Sequence, residues 1–448
     1  MRAWFRATAG GLSRTYWVIW SGILVNRAGG FAVLFLSLYL TGPRHLTPAL
    51  AGAIVGGYGI GAAAGTLLGG VLADRWGRRR TLLVAHFAGA AMMLALALAS
   101  GLAAIAACVV LVGAAQGMPG PAFVAAIVDI TPERDRPRAF NLQYWAFNLG
   151  MAAAGLIAGA VARFSFVLLF VSDATTTLIT AILILLWVPE SVPHRQTGAS
   201  RALPVGDAGA SRMGAQGDAR TSRAAGAPSP PSRAGIRVAL TDRIFMVFVG
   251  LSLLQAVLNA QNSTILPLSM TADHIAPAGY GLLMSLAGLL IVIGQLFVPW
   301  LIRHLLNGSV LALSMGLLAI GYGALMVAGS LGFYLACATV WTAGAMLAAP
   351  ANATIMSDLA PAAIRARYQA VFYLTFSLAS FIAPALGGIS WQYLGSWHWL
   401  LCGAVGLIAC VGHLVASPAR ERRIARQRAA APAAASAARD ADLVADRS

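Results

Sequence analysis

Long apolar runs broken by short polar segments repeat along this chain almost from end to end. Twelve runs stand out, near 15–40, 47–73, 80–99, 102–128, 139–162, 164–188, 241–270, 277–302, 308–328, 332–358, 368–393 and 395–417. About 20 apolar residues suffice to cross roughly 30 Å of hydrocarbon as a helix, so each run predicts one membrane span. Backbone exposed to lipid has to satisfy its own hydrogen bonds, which excludes isolated strands and fixes the spans as helices. Their many Gly, Ala, Ser and Thr positions let neighbouring helices approach closely. The first run is too long for the apolar region of a signal peptide and is expected to be retained as a span.

Composition sharpens this picture. Of 448 residues, 59% are hydrophobic and mean hydropathy is +0.76, more apolar than a water-facing exterior allows. The formal net charge is +16, carried by 31 basic residues that are all arginine. These lie in bursts between apolar runs, which argues against a nucleic-acid-binding face and for a topological signal. With the N-terminus placed in the cytoplasm, the cytoplasmic segments hold 28 of the 31 arginines. Both termini are therefore expected to be cytoplasmic, in a multi-pass protein of the cell (inner) membrane. Cys108, Cys337, Cys402 and Cys410 fall inside apolar runs without metal-ligand spacing and read as small core residues.

Residues 189–240 are a Pro, Gly, Ser, Ala and Arg mixture with too few large apolar side chains for a core, and predict a flexible cytoplasmic linker. Around it the chain divides into a cytoplasmic N-terminus (1–14), a six-helix bundle (15–188), a second bundle (241–417) and a cytoplasmic tail (418–448) that reads as loose after Arg428. An internal repeat supports two copies of one unit. Pro121, Asp129, Pro132, Arg136 and Arg138 match Pro350, Asp358, Pro361, Arg365 and Arg367, each pair 229 residues apart, and the same offset carries Gly159 onto Gly388. Parallel copies imply a pseudo-twofold axis along the membrane normal and a site between the halves near the midplane.

The stretch "GGVLADRWGRRR" at 69–80 lies between the second and third spans. Together with twelve spans and a long central loop, it resembles the major facilitator superfamily, whose loop at this place has the form G-x-L-A-D-R-x-G-R-R/K. Gly70, Leu72, Ala73, Asp74, Arg75, Gly77, Arg78 and Arg79 fit that pattern. The resemblance implies a conformational latch of Gly70, Asp74, Arg75, Gly77, Arg78 and Asp129. In it Asp74 accepts from a helix N-terminus of the opposite half when the transporter is open outward, and Arg78 pairs with Asp129. Glycines permit a tight turn and close helix approach here. The corresponding place in the second half keeps Arg303 but has no acid. Span 4 resembles the proton-antiporter pattern R-x-x-Q-G at Gln116 and Gly117, with Gly113 where arginine is usual. Span 5 has antiporter-like glycines at Gly150, Gly155 and Gly159 without the proline. The implied group is the drug:proton antiporters.

Candidate chemistry is sparse. Gln255, Asn259 and Asn262 share one face of span 7 and, with Gln116, Trp341 and Tyr373, are candidates for a substrate cavity. Apart from charged residues in the first or last three positions of a run, Arg27 and Asp173 are the lone base and the lone acid inside the expected spans. A charge at bilayer depth costs roughly 2.5–3.5 kcal/mol even on the permissive insertion scale, so each should seek a partner or a functional role. They are expected either to couple a proton or to form an intramembrane ion pair. No metal box or hydrolase motif is present, and neither an enzyme nor a cofactor is expected beyond a proton gradient. The sequence thus predicts a secondary transporter of small organic molecules, functional as a monomer, exporting by proton antiport. A nutrient symporter or facilitator of the same fold is the alternative, and a channel is disfavoured because no charged ring is visible.

Overall fold

A computed structural model describes residues 10–30, 32–162, 164–190, 233–361 and 364–445. The described residues hold twelve membrane-crossing helices: Arg14–Thr41, Pro48–Trp76, Arg78–Leu98, Leu102–Ile130, Arg138–Val161, Phe166–Trp187, Arg243–Ser263, Pro277–Gly294, Asn307–Val327, Leu331–Leu359, Arg367–Leu394 and Trp397–Gln427, here spans 1 to 12. They form two six-helix bundles. Most of the expected linker, 191–232, lies outside the described residues, as do residues 1–9.

Several boundaries differ from the apolar pattern, each for a local reason. Span 1 is two helices, Arg14–Gly29 and Ala32–Thr41, separated at the Gly29–Gly30 pair. Span 7 gives way to a 3-10 turn over Gln261–Ser263 and a short helix, Leu266–Ala272, whose first turn holds Pro267. Proline has no N–H, so it fits the first turn of a helix without losing a hydrogen bond there. Residues 233–240, expected in the linker, belong to the helix Arg233–Thr241, which packs on span 11 and buries Ala239. The last helix continues to Ala445 instead of loosening after Arg428, in keeping with the high helix propensity of its Ala- and Arg-rich sequence.

The two halves meet along two seams. Span 2 lies against span 11, with Gly52 facing the Pro384 carbonyl and Gly388; span 8 lies against span 5, with Gly281 facing Gly155 and Gly159. A Cβ at Gly52 or Gly281 would come closer than 3.0 Å to backbone atoms of the other half, so the seams require glycine there. The repeat extends to these positions: Gly52, Gly59, Gly155 and Gly159 recur 229 residues later as Gly281, Gly288, Pro384 and Gly388. The seams are thus the same contact made twice, as a pseudo-twofold axis demands.

Both seams lie away from the arginine-rich end of the bundle. Near them Phe35 meets Tyr280 edge to face at 5.2 Å, and one buried cluster joins Leu34, Phe35 and Leu38 to Leu266, Tyr280 and Leu283. The Ala49 N–H donates to Gln392 Oε1 (3.1 Å) and Ser285 Oγ to the Ala152 carbonyl (2.6 Å). Among the described residues, the side-chain hydrogen bonds and glycine contacts that cross between halves lie from this closed end to mid-span. The arginine-rich end is open.

Candidate functional site

At the open end, the loop between spans 2 and 3 has the expected turn. Gly77 sits at φ +102°, in the region that favours glycine, and its carbonyl accepts from Thr81 Oγ1 (2.8 Å). Arg78 Nε lies 3.1 Å from Asp129 Oδ2, the expected pair, and Arg78 Nη1 donates to the Ala73 carbonyl (3.4 Å) at the end of span 2. Arg79 Nη2 donates to the Leu185 carbonyl (2.7 Å), pinning the loop to the end of span 6. Asp74 and Arg75 are exposed, without a hydrogen bond or ion pair to a described residue. A Cβ at Gly70 would meet nothing within 4 Å, so the close approach expected of Gly70 is absent in this state. A latch that closes only when the arginine-rich ends meet would stand unmade here, as these three residues do.

A second polar cluster braces the same end of the other half. Asp242 accepts from Arg423 Nη1 (2.6 Å), Tyr368 Oη (2.8 Å) and the Phe245 N–H (3.2 Å), while Arg423 Nη2 donates to the Leu359 carbonyl (3.2 Å). Burial works against the charge on Asp242, but these hydrogen bonds outweigh it and hold the carboxyl below its usual range. Spans 7, 10, 11 and 12 are tied together by one carboxylate and one guanidinium.

A cavity of about 750 Å³ runs from the open end to mid-span within the N-terminal half, lined by spans 1 to 6. Its wall carries Phe123, Phe140, Tyr144 and Phe147, with polar atoms from Asn26, Arg27, His86, Gln116, Gln143 and Thr177. Above it a smaller cavity of about 180 Å³ is shared by Arg27, Tyr58, Gln116, Asp173 and Ser263. Gln116, an expected cavity residue, lines both and accepts from Tyr58 Oη (3.0 Å).

Arg27 and Asp173 come to the same small cavity but are not within 4 Å of each other, which corrects the expected ion pair. Asp173 is buried, with 1% of its surface exposed, and its partners are different. Its Oδ2 accepts from the Ala32 N–H (3.3 Å) and its Oδ1 from Thr177 Oγ1 (3.4 Å), which in turn accepts from Asn26 Nδ2 (3.3 Å). The break in span 1 creates that partner: Ala32 opens the helix Ala32–Thr41, and the first N–H groups of a helix have no partner within it. The Arg27 guanidinium lies 4.3 Å from the Phe147 ring centre. Gly150, one turn beyond Phe147, lets span 5 approach the Arg27 Cβ.

Three of the other expected cavity residues have structural partners. Gln255 Oε1 accepts from Asn352 Nδ2 (2.9 Å), which ties span 7 to span 10. Asn262 accepts from Tyr280 and Tyr322, and Trp341, buried at 2% exposure, stacks on Tyr322 at 4.9 Å. Asn259 is half-buried on the same helix, and Tyr373 is exposed on span 11 beside Phe372 and Phe376; neither lines either cavity. Asn26, Tyr58, His86 and Thr177 went unnoticed in the sequence, although the polar pair Asn26–Arg27 and the threonine run after Asp173 were its visible signals. Among the described residues no cluster of His, Cys, Asp or Glu is arranged to hold a metal ion.

Comparison with known proteins agrees with this geometry. The family model described as Major Facilitator Superfamily matches residues 19–268 and 251–444. The uncharacterized MFS-type transporter YttB of Bacillus subtilis is 25% identical over 334 residues, covering 74% of this chain and 77% of YttB. The 4-hydroxybenzoate transporter PcaK of Pseudomonas aeruginosa is 29% identical over 38% of this chain and 39% of its own length. The 3-(3-hydroxy-phenyl)propionate transporter of Escherichia coli is 30% identical over 30% of this chain and 33% of its own. A peptide transporter, POT, in complex with sulfate aligns at TM-score 0.74 and 18% identity over 94% of this chain and 99% of that one, a likeness of fold. By its paired seams, its loop between spans 2 and 3 and these matches, the chain is a transporter belonging to the Major Facilitator Superfamily.

Proposed function

We propose that the protein carries small organic molecules across the cell membrane by alternating access, coupled to protons through Asp173. The arginine-rich end is the cytoplasmic one by the positive-inside rule, so the described state is open to the cytoplasm. One observation carries the coupling: the Asp173 carboxylate accepts from the N-terminus of Ala32–Thr41, the segment of span 1 packed against the other half at the closed end. Protonation removes the charge that holds this helix terminus, so proton binding and gate position bias one another. Export by antiport, suggested by resemblance to the drug:proton antiporters, requires substrate and proton to exclude each other. Uptake by symport requires them to bind together; the names of the PcaK and phenylpropionate relatives favour an aromatic acid as the cargo in either direction.

The test is transport in reconstituted vesicles under an imposed pH gradient. Asp173→Asn is expected to abolish gradient-driven accumulation while retaining exchange of labelled substrate at equal concentrations. Undiminished uphill transport in the folded variant would refute the coupling role.

A further inference from the structure

We infer that Arg27 is the anchor for the carboxylate of a small aromatic acid, whose ring lies among the aromatic side chains of the larger cavity and which binds together with a proton on Asp173. This rests on the transport reading above and names its substrate class.

Three observations lead here. Arg27 sits where both cavities meet, with no carboxylate within 4 Å and no side-chain hydrogen bond to a described residue. A guanidinium presents five donors in a planar fork that matches a carboxylate, and a buried cation without an anion is costly. The ring over which it sits, Phe147, belongs to the same wall as Phe123, Phe140 and Tyr144, so a carboxylate at Arg27 places an attached ring against aromatic faces. Asn26 and Gln143 supply neutral donors and acceptors for a ring hydroxyl, and about 750 Å³ is ample for a benzoate-sized molecule.

The sign of coupling follows from charge. Asp173 shares the smaller cavity with Arg27; Tyr58 from span 2 also lines it, and His86 from span 3 lines the larger one. When Asp173 is ionised, an incoming carboxylate is repelled by it and competes with it for the field of Arg27. Protonation of Asp173 removes both effects, so anion and proton promote each other's binding, and by linkage the effect is reciprocal. That arrangement produces symport. A cationic substrate in the same place would expel the proton and produce antiport.

Purified protein in detergent is titrated with 4-hydroxybenzoate and with its neutral analogue 4-hydroxybenzyl alcohol. In parallel, proteoliposomes with a trapped pH-sensitive dye report proton entry when each compound is added. Wild type is expected to bind the acid and not the alcohol, more tightly as pH falls, and to acidify the vesicle interior when the acid is supplied outside. Arg27→Gln should weaken acid binding by roughly tenfold to a hundredfold, the loss expected of one hydrogen-bonded ion pair, while Arg27→Lys keeps part of it. Asp173→Asn should bind the acid with little pH dependence, a readout that mere structural damage would not give. Equal binding of acid and alcohol, or acid binding untouched in folded Arg27→Gln, overturns the inference. If amines or neutral compounds drive proton movement where aromatic acids do not, this inference falls and the transport reading stands. If no compound of any charge class moves protons, both fall.

Discussion

Replacing Gly52 with alanine tests whether the span 2 seam is a gate or a permanent joint. The added Cβ would lie well inside 3.0 Å of the Pro384 carbonyl oxygen and 3.1 Å from the Gly388 Cα, so span 11 has to retreat by roughly 1 Å or the seam has to part. Overpacking of this kind costs about 1–3 kcal/mol. The penalty falls only on the state in which the halves meet here, so the population should move by roughly 5–150-fold toward the state open at that end. Gly281→Ala, at the equivalent position of the other seam, should act in the same direction. Gly61 is the control: it lies on the same helix as Gly52 but faces Val110 of span 4 within its own half. Gly61→Ala should lower thermal stability without shifting the equilibrium. Spin labels on the loops at 43–46 and 273–276, in a protein freed of its four cysteines, read the separation directly by pulsed dipolar spectroscopy. An unchanged distance distribution in Gly52→Ala, or a shift as large in Gly61→Ala, would refute the assignment of these two faces.

Three further outcomes are expected. Asp74→Asn, at an exposed carboxylate without a partner among the described residues in the present state, should slow transport and further populate the state open at the arginine-rich end, with near-normal expression; wild-type rates and unchanged labelling of a cysteine introduced into the cavity would count against the latch. Replacing residues 195–230 with a Gly/Ser segment of equal length should preserve transport, and loss of transport with normal membrane insertion would reveal a docking or regulatory element there. Asp242, held below its usual range, stabilises the fold above the unfolded carboxylate value of about 3.9, and that contribution is lost as pH falls through the lower folded value. Melting curves of wild type and Asp242→Asn should therefore differ at neutral pH and converge in acid, and a constant difference down to the lowest accessible pH would rule this out.

The spans were legible because the bilayer imposes one length on every helix and leaves arginine only a few places to stand. Breaks inside spans were harder to see. Gly29–Gly30 interrupts span 1, yet glycine pairs occur intact within other spans, such as Gly56–Gly57 in span 2 and Gly387–Gly388 in span 11. Arg27 and Asp173 were found by the cost of burying charge, but the sequence left open whether they pair, for a definite reason. The partner of Asp173 is a backbone N–H exposed by the helix break, and a backbone donor has no letter in the sequence. Trp341 and Gln255 are ambiguous in another way: an aromatic or amide side chain reads the same whether it lines a cavity or braces two helices. Phe147 went unremarked because its partner in space, Arg27, lies 120 residues earlier. The full extent of the 229-residue repeat was present all along in Gly52 and Gly281, but glycines are too common in this chain to stand out before their contacts are known.

The division of span 1 has a kinetic side. Its second helix is 10 residues long and is joined to the first through Gly30, whereas opening either seam requires a six-helix bundle to rock. Loop joints rearrange in nanoseconds to microseconds, whereas packed helices and whole domains shift in microseconds to milliseconds, so the joint at Gly30 and the bundles run on separate clocks. On the proposed coupling, fraying at that joint can part the Ala32 N–H from Asp173 many times for each turnover of the bundles while the rest of the buried helix stays packed, giving a proton frequent access to a site that substrate reaches rarely. Proton equilibration is then fast and substrate movement slow. The tightness of coupling, and the size of any idle proton slip, depends on how rarely the bundles rock with Arg27 empty.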